Sequence, residues 1–147
     1  MDKKPVQLLL ADDDADDRMF FEAALQDLPL NVLLHTVNDG EELMNELLNE
    51  RTVLPDIIFL DLNMSRKTGF ECLDEIKQTQ QLSSLYVIIY STSFDQKTVD
   101  LLYEKGANRY IRKPGDFKDL KRLVSEAIIN ACQNKSTPAK EHFVLGT

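Results

Sequence analysis

Five short strand-like runs alternate with five helical patterns along the chain, and this alternation restricts the fold more than any other feature. The runs cover residues 6–11, 31–37, 57–60, about 85–90 and about 109–112. Ile57-Ile58-Phe59-Leu60 and Val87-Ile88-Ile89 are apolar without interruption. A strand with one wet face alternates apolar and polar residues; a continuous apolar run belongs to a strand covered on both faces, as in a parallel sheet. Strand–helix alternation therefore predicts an α/β fold built on a parallel sheet. Right-handed crossovers put helices on both sides of it.

The helical segments carry their own signals. Phe21, Ala24, Leu25 and Leu28 share one helical stripe, and Pro29 stops it. Asp14 is placed to cap this helix, with Asp16 and Asp17 in the first turn, where negative charge suits the dipole. A second helix opens at Asp39-Gly40-Glu41-Glu42 and carries Leu43, Met44, Leu47 and Leu48. Gly69 precedes a third, with Phe70, Leu73 and Ile76 inward. The fourth carries Val99, Leu102 and Tyr103 and closes at Gly106, a C-cap residue. In the last, Phe117, Leu120, Val124, Ala127, Ile128 and Ala131 recur every three or four residues.

These patterns place one domain at residues 1–134, followed by a short tail at 135–147. The tail is mostly polar with one apolar patch, Phe143-Val144-Leu145. It is expected to be flexible, with docking of the patch on the domain or on a partner as the alternative. A chain of 147 residues with 43% hydrophobic residues matches one domain with a sizeable core. The net charge of -8 argues against nucleic-acid binding through a basic face. No apolar run reaches the roughly 20 residues needed to span a bilayer. The stretch Met1-Asp2-Lys3-Lys4-Pro5 leads through a short apolar run into acid, unlike a signal peptide. Cys72 and Cys132 stand far apart without a CxxC pattern and read as two reduced thiols of a cytoplasmic protein. With only His35 and His142 there is no zinc cluster and no histidine-based acyl-transfer triad. Neither a P-loop nor GxGxxG occurs.

The chemistry lies where the strands stop. The first runs into Asp12-Asp13-Asp14 and the third into Asp61; the fourth ends in Ser91 and the fifth in Lys113-Pro114. In an open parallel sheet the ligand crevice lies beyond the carboxyl ends of the strands, where strand order reverses. For the order 2-1-3-4-5, that point separates the strands ending in Asp13 and Asp61. Two carboxylates 4 Å apart repel by roughly 4 kcal/mol at an effective dielectric near 20. A hard cation removes that cost, and oxygen ligands without histidine point to Mg²⁺. A strand-end aspartate beside that metal is suited to act as a nucleophile and form an aspartyl phosphate. Lys113 supplies a positive point charge for phosphoryl oxygens and Ser91 a hydroxyl donor.

The segments Leu8-Leu9-Leu10-Ala11-Asp12-Asp13-Asp14, Ile57-Ile58-Phe59-Leu60-Asp61-Leu62-Asn63-Met64, Ile88-Ile89-Tyr90-Ser91-Thr92-Ser93 and Tyr110-Ile111-Arg112-Lys113-Pro114 resemble the signature of two-component response-regulator receiver domains of the stand-alone type. The resemblance covers about residues 5–133. It implies a flavodoxin-like (βα)5 fold in which Asp61 accepts a phosphoryl group from a phosphohistidine on a sensor kinase or phosphotransfer protein. It implies that Asp12, Asp13, Asp61 and the backbone carbonyl of Asn63 hold Mg²⁺. Ser91 and Tyr110 would form a switch: Ser91 turns to the phosphate, Tyr110 turns inward, and the face of helix four, strand five and helix five changes for an effector protein. Asn63 and Ser93 occupy positions that tune phosphate lifetime in that family. The resemblance also makes Lys113-Pro114 a candidate cis bond.

Ser91 stands where threonine is commoner, Ser65 in place of a proline, and Thr68 where an aspartate is frequent, the last read as a local capping change. Two other readings stay open: a phosphohydrolase with an aspartate nucleophile, disfavoured because Asn63 stands where a second acid is usual, and a receiver-like interaction module working without phosphorylation. The sequence also leaves open a homodimer through the last helix and tail.

Overall fold

The computed structural model describes residues 4–146; Met1, Asp2 and Lys3 of the N-terminal stretch lie outside the described residues, as does Thr147. Strands β1 (Val6–Ala11), β2 (Val32–Val37), β3 (Ile57–Leu60), β4 (Tyr86–Ser91) and β5 (Arg109–Arg112) alternate with helices α1 (Ala15–Gln26), α2 (Gly40–Leu48), α3 (Gly69–Gln78), α4 (Gln96–Glu104) and α5 (Phe117–Gln133). A 3-10 turn at Lys140–His142 and a short strand β6 (Val144–Leu145) follow. The strands form one sheet of order β2-β1-β3-β4-β5-β6, and every neighbouring pair is parallel.

The sheet divides the interior into two cores. Leu9, Ile58, Val87 and Ile89 face Leu43, Leu47, Leu73, Ile76 and Leu102 of α2, α3 and α4. Leu8, Leu10, Phe59, Ile88 and Ile111 face Phe21, Leu25, Val124 and Ile128 of α1 and α5. β3 and β4 are buried along their whole length, in agreement with their uninterrupted apolar runs. Leu48, on the last turn of α2, is about half exposed.

Every helix start is capped by a side chain. Asp14 accepts from the amides of Asp16 and Asp17, Asp39 from Glu42, Asp95 from Lys97 and Thr98, and Asp116 from Lys118. Thr68 and Glu71 form a reciprocal capping box at α3, so the expected capping change is what the structure contains. Gly106 closes α4 at φ 99°, a conformation open to glycine at no steric cost.

Two expectations change. No cis peptide bond occurs among the described residues, so Lys113–Pro114 is trans. Trans is the isomer that X–Pro bonds favour by about 0.5–1 kcal/mol. The five-strand order is also extended by β6, because the apolar patch of the tail docks. The Tyr110 amide donates to the Phe143 carbonyl at 3.1 Å, which covers a β5 edge that would otherwise be unpaired. Phe143 is buried in the α2–α3–α4 core and Leu145 in the α1–α5 core.

Candidate functional site

Register brings the strand ends together. Ala11 pairs with Leu60, Leu60 with Ile89, and Ser91 with Arg112. The ladder continues one step past the strands: Asp61 N–H donates to the Ala11 carbonyl at 3.0 Å and Lys113 N–H to the Ser91 carbonyl at 2.9 Å. Asp12, Asp61, Ser91 and Lys113 thus all lie at the carboxyl rim of the sheet. Asp12, Asp13 and Asp61 each offer an oxygen, and these three oxygens lie within 4.8 Å of one another. Asp12 and Asp61 are buried, whereas Asp13 is exposed at the mouth.

The Lys113 ammonium lies 2.8 Å from Asp12 Oδ2, 3.1 Å from Asp61 Oδ2 and 2.8 Å from Asp17 Oδ2. It also sits 5.2 Å from the ring centroid of Tyr90. Burial pushes the Asp12 carboxyl up to about 6, against the lowering effect of its hydrogen bond from Lys113. Burial by itself would depress Lys113, but its hydrogen bonds to Asp12 and Asp17 and the charge of Asp61 hold it above the ordinary lysine range. One ammonium does not balance four carboxylates. A donor set of closely spaced oxygens with surplus negative charge fits a hard divalent cation.

Asp17 adds a role that the sequence did not disclose. It was expected to serve only the helix dipole, yet its carboxylate reaches Lys113. It is the third residue of α1, which begins four residues after β1 ends. Arg18, one residue on, donates to the Asp12 carbonyl at 2.7 Å.

A second set of contacts leads away from Asp61. Asn63 N–H donates to Asp61 Oδ1 at 3.3 Å, and the Asn63 side-chain amide donates to Ser93 Oγ at 3.1 Å. Ser93 N–H donates to Ser91 Oγ at 3.3 Å. The Tyr110 hydroxyl donates to the Ser93 carbonyl. Tyr110 is therefore turned inward and buried, with its ring between Phe94 at 6.0 Å and Phe143 at 6.4 Å. Burial, then the charges of Asp95 and Asp61, raise its hydroxyl to about 12. Asn63, Ser91, Ser93 and Tyr110 thus form one hydrogen-bonded set attached to Asp61.

Known proteins resemble this chain over most of its length. The family model "Response regulator receiver domain" matches residues 8–125. Response regulator Rcp1 of Synechocystis sp. is 32% identical over 124 residues, covering 82% of this chain and 84% of its own length. The probable methanogenesis regulatory protein FilR2 of Methanothrix harundinacea is 30% identical over 125 residues, covering 83% and 81%. Among solved structures, the Mn²⁺-bound form of Rcp1 superposes with a TM-score of 0.80 at 30% identity, covering 92% of this chain and 100% of that one. The phosphorylated cyanobacterial phytochrome response regulator RcpA gives 0.78 at 28% identity, covering 90% and 97%. No helix among the described residues is long and apolar enough to cross a membrane.

Proposed function

We propose that this chain, which belongs to the response regulator receiver domain family, takes a phosphoryl group onto Asp61 from a phosphohistidine of a sensor kinase or phosphotransfer protein. The observation that carries the reading is the position of Lys113: it bridges buried Asp12 and Asp61 from a separate strand, beside a cluster of carboxylates that a cation would relieve. An Asp61 oxygen forms the new P–O bond as the P–N bond breaks. The departing imidazole nitrogen keeps the electron pair and then takes a proton from water.

Asp12, Asp13, Asp61 and the Asn63 carbonyl would hold Mg²⁺, which neutralises charge on the phosphoryl group in transfer. Lys113 already stands at Asp61 Oδ2 and is placed to pair with a phosphoryl oxygen. Asp17 holds the same ammonium from the solvent side and positions it. Ser91 gives its hydroxyl to a second phosphoryl oxygen, which draws the Ser91–Ser93 loop toward Asp61. Tyr110 reads that loop through the Ser93 carbonyl, so the output surface is the face of α4, β5 and α5. Asn63 and Ser93, hydrogen-bonded across the mouth, control the approach of water and hence phosphate lifetime. Asn63, an amide where such hydrolases usually carry a second acid, speaks against the hydrolase reading.

The test is incubation with Mg²⁺ and a small acyl-phosphate donor, read by intact mass. One phosphate is expected, lost in Asp61→Asn and on chelation of the metal. Turnover of many equivalents of donor would instead favour the hydrolase. No modification by the small donor or by kinases, with no Mg²⁺ binding, would leave the unphosphorylated module.

A further inference from the structure

The tail is attached along its length to the surface assigned to output. The Asn108 side-chain amide donates to Thr137 Oγ1 at 3.1 Å. The Tyr103 hydroxyl donates to the Pro138 carbonyl at 3.3 Å, and Arg109 to the His142 carbonyl at 3.0 Å. Phe143 is fully buried, with its ring 5.2 Å from that of Tyr103 on α4 and 6.4 Å from that of Tyr110 on β5. Beyond it, Gly146 at φ 85° lies so close to α5 that a Cβ there would come within 2.6 Å of a Leu123 methyl. These contacts touch α4, β5 and α5 in turn.

The same Tyr110 belongs to the set attached to Asp61. Contacts run without a break from Asp61 through Asn63, Ser93 and Tyr110 to Phe143. The Tyr110 hydroxyl reaches the Ser93 carbonyl from the inward, fully buried ring. Phe143 covers the ring in that position. The docked tail pairs with the Tyr110 backbone and packs on its ring, so tail docking and the inward ring support each other.

We propose that residues 135–146 are a built-in ligand of the α4–β5–α5 face, and that their docking and the phosphorylation of Asp61 strengthen each other. The inference rests on the phosphoacceptor reading. Phosphoryl oxygens that hold Ser91 order the loop carrying the Tyr110 acceptor, the inward ring gives Phe143 its partner, and the tail closes over β5. By linkage, the docked tail raises the affinity of the acceptor site for phosphate by the same factor. An effector that reads the phosphorylated protein meets β6 and the tail, and the bare β5 edge is open only in the other state.

The test uses the full chain with Mg²⁺ and beryllofluoride as the phosphoryl mimic. Amide exchange of the C-terminal peptide is expected to slow by about fivefold or more when the mimic binds, the low end of ordinary coupling factors. Phe143→Ala and Gly146→Ala both loosen the tail from opposite ends, the first by deleting its anchor and the second by collision with Leu123. Each is expected to speed exchange of that peptide and weaken beryllofluoride binding about fivefold or more. If the mimic binds with unchanged tail exchange, or if variants with freed tails bind it as the wild type does, the coupling is refuted while the phosphoacceptor reading stands. Failure of the wild type to bind the mimic or accept phosphate refutes that reading and the inference together.

Discussion

Replacing Asp13 with asparagine should stabilise the metal-free protein and remove its response to Mg²⁺. Asp13 makes no contact with the Lys113 ammonium, which is engaged by Asp12, Asp17 and Asp61, so the change deletes a charge without breaking an ion pair. The oxygens of Asp12, Asp13 and Asp61 lie within 4.8 Å of one another. At that distance two full charges repel by about 3.5 kcal/mol at a dielectric near 20 and by about 0.9 kcal/mol in bulk water. Asp13 is exposed, so its two repulsions fall toward the lower figure, and Lys113 nearby returns part of one. The net gain is on the order of 1 kcal/mol, or about 2–4 °C in Tm for a domain of this size. Mg²⁺ at a hundredfold over its Kd stabilises the wild type by about 2.7 kcal/mol, and the variant loses most of that. Thermal unfolding followed by circular dichroism, in chelator and then in excess Mg²⁺, should show the ranking reverse: variant above wild type without the cation, below it with. Parallel behaviour of the two proteins in both buffers would refute the electrostatic account of the site.

The Asp12 carboxyl is raised from its usual value to about 6, so its folded-state contribution is fully present below about pH 4 and is lost as pH rises through 6. Because the same proton competes with a cation, Mg²⁺ affinity measured by titration calorimetry should fall by about tenfold from pH 7.5 to pH 5; a flat profile would contradict the assignment of Asp12. Gly69→Ala places a Cβ 2.3 Å from the Asp61 carbonyl oxygen, a backbone atom with no freedom to retreat. A loss of about 1–3 kcal/mol in urea unfolding is expected, together with slower phosphorylation from the small donor, as Asp61 shifts away from Lys113. Burial raises the buried Cys72 thiol to about 12, whereas Cys132 is exposed; a thiol reagent at pH 8 should therefore add to Cys132 alone, as read by peptide mass.

The strands and the rim were legible in the sequence mainly because β1, β3 and β4 are short apolar runs, each broken at its end by an acid or a hydroxyl. Asp12, Asp61 and Lys113 declared themselves as misplaced charge, and parallel register did the rest. Asp17 did not, because one more acid in the first turn of a helix already has a sufficient local explanation in the dipole. Its partner, Lys113, lies 96 residues away, beyond the reach of any local pattern. The tail was half legible. Phe143-Val144-Leu145 announced an apolar patch with something to cover, but a two-residue strand is too short to carry a period. Its partner is the β5 edge, more than thirty residues earlier in the chain. The inward Tyr110 belongs with it, because a ring position set by a docked segment is not written in the residues around the ring.

The two ends of the Asp61–Phe143 contact set are held differently, and that difference suits a signal. At the rim, like charges crowd around one lysine, and the arrangement gains from any cation or phosphoryl oxygen that redistributes them. At the β5 edge, the tail is held by buried Phe143 and Leu145, hydrogen bonds from the side chains of Tyr103, Asn108 and Arg109, and a two-residue ladder, whereas β3 and β4 are buried along their whole length between two neighbours. Such a segment lies at the low end of local stability, where opening costs little of the global free energy. A change of one or two kcal/mol at Asp61 would be invisible in the packed interior of the sheet. At the tail it is enough to change the docked fraction several-fold, so the weakest strand of the sheet is also the one best placed to report the charge state of its centre.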